Sequence, residues 1–534
     1  MKEKDTQIIV LGATPGGISA ALAAARRGIN VLLLERSQHV GGLPANGLGA
    51  TDIDTRDISG GIFLEFVQSV KRHYIVNYGL DSSQVRDCSD GYRFEPHVAE
   101  TVFLNMLSSC PNITIRLGQE LDPYRQDAAC YINTMWHIQI TDTASGETST
   151  YSANILIDAT YEGDLLEVTQ AAYRLGREGI SDYGEPFAGE IYMGWKKERL
   201  LASSGKGDKT IQAYNYRLCI TKNPENSVTV TKPQDYHPEE YKVFLDDILE
   251  NRFTGIPTDE RYLDGIGRCL NLVPLPNGKY DANNQHLAFQ STDLPEENWP
   301  WPTSTWAWRD AFAERLKSYT LGLIWFAQND PRLPAAFREA CAAWGLAKDE
   351  YLDNKHFPRQ VYVREGRRLV GTYTFTAFDS WRADGQCVDE HENSITASHY
   401  SLDSHAVRKY QPGYPHLEGF FNVHNLPYTV PYGVMLPKTV KGLIAPVPVS
   451  STHLGFSTLR MEPCWLSLGQ AAGLAAYLAI SKRTELNNIN IDDLQNLLRE
   501  EGAVIYPSEI NRKQSEAHDS EKHSGYNDKA GAAS

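Results

Sequence analysis

The sequence has cysteines but no cysteine pattern. Eight stand singly, at Cys88, Cys110, Cys130, Cys219, Cys269, Cys341, Cys387 and Cys464. With no C-x-x-C and no Cys/His cluster, neither a structural zinc nor a redox dithiol is supported, and no metal is expected. Single cysteines also make a reducing, cytoplasmic location the expectation. No apolar run is long enough to read as a membrane span; the longest candidate, around 471–480, is Ala-rich and broken by Gly473. No charged-apolar-small leader opens the chain, because MKEKDTQ runs straight into a strand signal. Positive charge is in deficit, with 51 Lys and Arg against 67 Asp and Glu and a formal net charge of −16. That argues against nucleic acid or an anionic membrane as partner. There is no internal repeat and no low-complexity tract. A hydrophobic share of 41% with 22% charge excludes global disorder, and 534 residues suffice for two or three joined domains. Oligomeric state stays open.

What the chain does have begins at once. Gln7 to Glu35 reads QIIVLGATPGGISAALAAARRGINVLLLE: an apolar run, a Gly-rich turn, a small-residue helix from about Gly16 to Arg27, a stop at Gly28, and a second apolar run ending in an acid. This is a strand–turn–helix–strand unit with the punctuation of a dinucleotide site. Gly12 allows the tight turn, Gly16 and Gly17 let backbone approach a pyrophosphate and helix approach sheet, and the helix N-terminus faces the anion. Glu35 stands 18 residues after Gly17, near the roughly 20 expected of an acid that accepts ribose hydroxyls. Thr14 takes the place of the middle glycine, so the turn alone is a weak match, and an ordinary βαβ unit is its bland reading. A second glycine pair, Gly41-Gly42, follows Glu35.

Downstream, 62–74 and 95–109 read as helices, and 112–117, 130–141, 148–151 and 154–159 as strands, so that a β-meander precedes a returning buried strand. From about 162 to 360, Tyr-, Trp-, Pro- and Asp-rich loops alternate with helices at 306–326 and 334–344. No second Gly-rich βαβ unit occurs there. Segments 361–378 and 428–435 look extended, 442–449 reads as a buried strand and 463–480 as a long helix of small residues. The domain reading is therefore a split cofactor fold, 1–160 and 361–485, around an inserted domain 161–360, then a helical segment 486–507 and a mobile tail 508–534.

GATPGG with Glu35, HVGGLPANGLGATD, RFEPHVAE, IDATYEGDL, VREGRRLVG, YSLDSH and SSTHLGFSTLRMEPCWLSLGQAAG, in that order, resemble the FAD-dependent oxidoreductase family, over about residues 6 to 505. The resemblance implies an α/β fold: a Rossmann-like FAD-binding domain of parallel sheet, helices and β-meander, with an inserted α+β substrate domain. It implies FAD as cofactor. Gly12, Thr14, Pro15, Gly16 and Gly17 would hold the pyrophosphate, Glu35 and Arg36 the adenosine ribose and its surroundings, and Gly41, Gly42 and Leu43 the path toward the ring. Leu121 would touch adenine, and Ala159 and Thr160 would close the site. The final helix, near Gln470 and Ala471, would aim its N-terminus at the isoalloxazine.

For chemistry, a flavin dehydrogenase or oxidase needs a proton acceptor beside the substrate atom that gives up hydride to N5. His405 in YSLDSH and His453 in SSTHLGFS are the candidates, with Asp403 placed to orient His405; the bland reading of each is a structural histidine. Arg364, Arg367, Arg368 and Arg460 offer forks for a carboxylate or carbonyl, or else pair with nearby acids. Tyr161, Glu162 and Asp164 follow the returning strand as site wall or helix cap, and Tyr280, Asp281, Asn283 and Asn284 form a polar cluster suited to a hydroxylated ligand or to turns. The leading expectation is oxidation of a small or medium organic substrate by hydride transfer, with the electron acceptor open. The alternatives are a flavin monooxygenase or reductase using NAD(P)H, and a non-catalytic flavin-binding protein.

Overall fold

Alternation along the first strand decides the layering. Ile8–Leu11 (β1) is buried throughout, yet Ile8 and Val10 join the larger apolar core while Ile9 and Leu11 join a smaller one. Val31–Leu34 (β2) and Ile155–Asp158 divide the same way: Val31, Leu33, Ile155 and Ile157 go to one core, Leu32, Leu34 and Leu156 to the other. Successive strand side chains point to opposite faces, so this sheet is covered on both sides, as parallel sheets are.

A computed structural model of the protein describes residues 6–194, 198–257 and 259–510. Its central sheet has five parallel strands in the order Leu443–Ile444, Ile155–Asp158, β1, β2 and Ile113–Arg116 (β3), with Ile8 opposite both Val31 and Ile155. One face carries Pro15–Arg26 (α1), Pro96–Ser108 and the long helix Glu462–Lys482. The other carries the meander, whose Trp136, Ile138, Ile140 and Tyr151 fill the smaller core. Its expected single segment 130–141 is two strands, Ala129–Ile132 and Met135–Asp142, because Asn133 and Thr134 both take positive φ, 51° and 65°, and turn the chain.

The long helix revises two expectations. At 21 residues it is long and apolar enough to cross a membrane by length and composition, contrary to the reading of the sequence, but 83% of its apolar window is buried inside the protein. Two of its small residues serve a helix crossing. A Cβ on Gly469 would lie 2.0 Å from the carbonyl oxygen of Gly16, and one on Gly473 2.3 Å from that of Ala20. Backbone thus meets backbone between this helix and α1.

Residues 218–347 include a five-stranded antiparallel sheet in the order Ser227–Val228, Gly345–Ala347, Leu218–Thr221, Lys279–Asn284 and Leu270–Pro274, and the helix Trp306–Asn329. Apolar residues there, Leu218, Leu270 and Phe312 among them, belong to the same core as β1. Strand content is lower than expected further on. Within 361–378 only Arg368–Leu369 pairs, with Tyr173–Arg174, and within 442–449 only Leu443–Ile444. Tyr362 and Phe375 make isolated bridges instead, to Asn215 and Ser451. The expected tail begins too early: Glu509 accepts from Arg499 at 2.9 Å and Ile510 packs beside Ile58, while 511–534 lie outside the described residues.

Candidate functional site

The carboxyl ends of β1, β2 and Ile155–Asp158 open into a cleft lined by Gly12, Thr14, Glu35, Arg36, Leu121 and Thr160. Open α/β sheets bind nucleotides at this edge. Gly12 has φ +97°, and a Cβ there would meet the Ala159 carbonyl at 2.8 Å; a Cβ on Gly17 would fall 1.9 Å from Gly12 O. The crossing is therefore as tight as glycine permits. Thr14 earns its place at the middle-glycine position: its hydroxyl donates to Ala159 O at 2.8 Å and accepts from Gly17 N at 3.2 Å, capping α1 while clamping two strands. Pro15 has no N–H and Gly17 is capped, which leaves Gly16 as the free first-turn donor for an anion. Glu35 accepts from Ala13 N and Ser37 N, both at 2.8 Å, one bond per carboxylate oxygen. Each oxygen keeps a lone pair for a ribose hydroxyl. These donors and acceptors fit FAD.

The remaining expected residues also have partners within the protein. Gly16 abuts Val447 and Trp465, and Gly41 abuts Phe103. Gly42 packs on Tyr161 and Pro15, Leu43 donates its N–H to Tyr161 Oη, and Ala159 is buried beneath Gly12. Arg36 stacks on Trp306 at 4.1 Å and pairs with Glu120 and Asp310, and Trp306 Nε1 donates to Leu121 O at 3.2 Å. Gln470 accepts from Ile62 N and donates to Glu501, with Ala471 wholly buried beside it, so neither reaches the cleft. The helix's N-terminus is Glu462, eight residues earlier. It meets the cleft wall through Tyr161, whose hydroxyl donates to Glu462 Oε1 at 2.6 Å. Burial pushes the Glu462 carboxyl up to about 8, so it is neutral at pH 7.

A second cavity, of about 420 Å³, is lined by His405, Asp403, Asn283, Asn284, Asn422 and Phe420 among others. His405 sits between two carboxylates, Nδ1 2.8 Å from Asp293 Oδ2 and Nε2 3.6 Å from Asp403 Oδ2. Each carboxylate has its own arginine: Arg364 is 2.9 Å from Asp293, and Arg460 is 3.0 Å from Asp403. Burial alone would raise both acids, but Arg364 and His405 hold Asp293 below the usual carboxylate range, and His405 with Arg460 does the same for Asp403. With Asp293 ionised, Nδ1 must be the donor, and Nε2 faces the second carboxylate across 3.6 Å.

His453 is different. It opens helix His453–Leu459, is 1% exposed, and has both ring nitrogens taken, by Glu365 at 2.8 Å and Ser404 at 3.3 Å. The structure gives it the structural role. Arg364 and Arg460 likewise line neither space; they brace the acids around His405. Arg367 and Arg368 are fully buried, on Asp164 and on Glu178 and Glu365. Asp164 is doubly held, by Arg309 and Arg367, and the next helix is capped by Asp158 at Leu165 N. Of the polar cluster, Asn283 and Asn284 face the cavity, while Asp281 pairs with Arg217 and Tyr280 packs on Trp344.

Tyr362 stands between the two spaces. Its neighbours Val361 and Val363 line the nucleotide cleft, while its hydroxyl accepts from Arg460 at 3.0 Å, the arginine bound to Asp403. Asp293, Trp306 and Tyr362 were not singled out in the sequence, where each stands in loop or helix with no motif around it. One group among the described residues, Glu95, His97 and Glu350, has metal-ligand geometry, but the Lys279 ammonium already lies 2.7 Å from both glutamates.

A family model described as FAD dependent oxidoreductase matches residues 7–498, and the chain belongs to that family. It is an enzyme, an oxidoreductase, and its cofactor is FAD. No curated protein sequence matches it. Similar solved structures include the flavin-dependent monooxygenase PieE in complex with FAD and substrate, at 15% identity over 33% of this chain and 34% of its own, TM-score 0.21. BexE, studied for oxidation during BE-7585A biosynthesis, shows 15% identity over 52% and 43%, TM-score 0.26. The bacillithiol disulfide reductase Bdr of Bacillus cereus shows 14% over 29% and 40%, TM-score 0.20. The matches span less than half the length of these structures, and at such scores they carry no argument about chemistry.

Proposed function

We propose that this FAD enzyme is a dehydrogenase or oxidase that removes hydride from a carbon of a small or medium organic substrate while His405 takes the accompanying proton. FAD, when bound, supplies the hydride acceptor, flavin N5. Gly12, Thr14, Gly16, Glu35 and Thr160 hold its nucleotide part. His405 Nε2 serves as the proton acceptor, with the ring oriented by the bond from Nδ1 to Asp293. Once protonated, the imidazolium faces a carboxylate on either side, so the charge it gains is met locally. Arg364 and Arg460 keep those carboxylates ionised and in place, and Tyr362 carries the contact between cavity and cleft.

The single observation that carries the reading is His405 held between Asp293 and Asp403 on a cavity wall. On domains, the antiparallel sheet of the insertion supports reading 161–360 as the substrate domain, 1–160 and 361–485 as the FAD-binding halves and 486–507 as a helical appendage. The eight unpaired thiols support a reducing compartment, the cytoplasm.

The test is anaerobic mixing of the holoenzyme with alcohols, amines and hydroxy acids, and separately with NADH and NADPH. Bleaching of the flavin bands by an organic substrate alone is expected. Bleaching only by a nicotinamide would replace this reading with a monooxygenase or reductase.

A further inference from the structure

A chamber of about 250 Å³ adjoins the His405 cavity and shares Asn284 and Phe420 with it. Aromatic and aliphatic side chains make most of its wall: Phe289, Leu294, Tyr319, Tyr410, Leu417 and Phe420. Phe289, Leu294, Tyr319 and Phe420 are buried, and Phe289 leans on Tyr410 with ring centroids 4.5 Å apart, so packed rings bound the space. Two glutamines of the lining turn their amides to the protein. Gln285 donates to Gly267 O at 2.7 Å and accepts from Leu287 N at 3.1 Å, and Gln290 donates to Glu240 O at 2.7 Å and accepts from Phe244 N at 3.0 Å. Tyr319 likewise donates its hydroxyl proton to Ser291 O, at 2.8 Å. Glu240, Arg408 and Lys409 stand at the solvent side, half-buried or exposed, and each is paired: Glu240 with Arg315, Arg408 3.3 Å from Asp208, and Lys409 2.7 Å from Glu297. Asp293, the acid that holds His405 at 2.8 Å, is on the chamber wall, while His405 is on the cavity wall. The two spaces therefore meet at this pair.

Size and surface set the occupant. An apolar cavity of about 150 Å³ is enough to take up benzene, driven by the removal of apolar surface from water. At about 250 Å³ the chamber has room for a six-membered ring with a short substituent. We propose that the substrate carries an aromatic or alicyclic ring, that this ring is bound in the chamber, and that its oxidised carbon projects past Phe420 to His405. This rests on the reading of His405 as proton acceptor. The chamber selects the ring, and the cavity receives the polar end that bears the oxidised carbon.

The experiment compares matched pairs on the holoenzyme, so that the identity of the oxidised group does not decide it: benzyl alcohol with ethanol, benzylamine with ethylamine, and mandelate with lactate. Toluene, which has neither hydroxyl nor amine, serves as a binding probe. Calorimetry should show toluene binding with a negative heat-capacity change. In the pair that bleaches the flavin anaerobically, the ring-bearing member should bind more tightly by about tenfold or more. Val243→Phe and Leu417→Phe, at half-buried positions of the lining, should keep full flavin content and weaken toluene by about tenfold or more. Absence of toluene binding in wild type, or equal binding in wild type and both variants, would overturn the chamber as the site of the ring. Bleaching by ethanol, ethylamine or lactate with no preference for the ring-bearing partner would overturn the substrate class while sparing His405 as base. Bleaching by NADH or NADPH alone would overturn the dehydrogenase reading and the substrate role with it, while toluene binding, which needs no turnover, would still decide whether the chamber takes an apolar ring.

Discussion

Asp293 accepts the Nδ1 proton of His405 at 2.8 Å, across 112 residues of sequence. That bond joins two distant stretches of the chain, and it makes Nδ1 the donor. His405→Ala should leave the flavin spectrum intact and slow reductive bleaching by ~10²–10⁴-fold. Asp293→Asn keeps a hydrogen bond but not the charge, and should cost less. Equal reduction rates in wild type and His405→Ala, measured by stopped flow, would move the proton acceptor to another group.

The nucleotide cleft makes a separate prediction. Glu35 holds Ala13 N and Ser37 N as well as facing the ribose position, so Glu35→Ala should weaken FAD about tenfold, a loss of about 1.4 kcal/mol. Gly17→Val should abolish FAD retention, because its side chain starts 1.9 Å from Gly12 O. Fluorescence of released flavin against protein concentration reads both. Full flavin content in Gly17→Val would sink the assignment of this turn.

How much of this was legible follows distance along the chain. The β1–α1–β2 unit is local, and strand alternation, small helix residues and Glu35 gave it away together. Thr14 read as a flaw, because its bond to Ala159 O spans 145 residues. His405 and His453 looked equivalent in sequence; they separate only when Glu365 and Ser404 are seen to occupy both nitrogens of His453. The long helix was visible, but its purpose was not. Gly469 and Gly473 suit close approach to a cofactor and to a helix equally well, and only the fold brings α1 against them.

That crossing can be tested by adding one methyl group. Gly469→Ala puts a Cβ 2.0 Å from Gly16 O, a contact backbone must move to relieve. The expected cost is about 1–3 kcal/mol, read as a lower Tm, with weaker FAD retention because α1 carries Thr14 and Gly16. An unchanged Tm would mean that the two helices are further apart than described.

Lys279 is wholly buried, with its ammonium 2.7 Å from Glu95, Asp349 and Glu350. Lys279→Met leaves buried carboxylates without their cation and should destabilise by roughly 3–5 kcal/mol. Because the lysine fills the place of an ion, chelation with EDTA should leave the wild-type Tm unchanged. A Tm that falls on chelation would mean a metal, not Lys279, neutralises this cluster.

Glu462 makes stability depend on pH in a direction opposite to that of a paired carboxylate. Burial raises its folded-state value to about 8 from an ordinary 4.5, so the folded protein keeps a proton that the unfolded chain gives up. The contribution is fully present below about pH 4.5 and is lost as pH rises through 8. Asp158, Asp247 and Glu162, each pushed up to about 7 by burial, act in the same sense, so the wild-type slope alone assigns nothing. Glu462→Gln isolates one group: its amide oxygen still accepts from Tyr161, and it has no proton to lose. Thermal unfolding from pH 5 to 8 should show wild type losing stability relative to Glu462→Gln, by on the order of a few kcal/mol over the window. A constant gap between the two would mean that Glu462 is ionised in the folded protein, and that Tyr161 is donating to a charge at the first turn of the long helix.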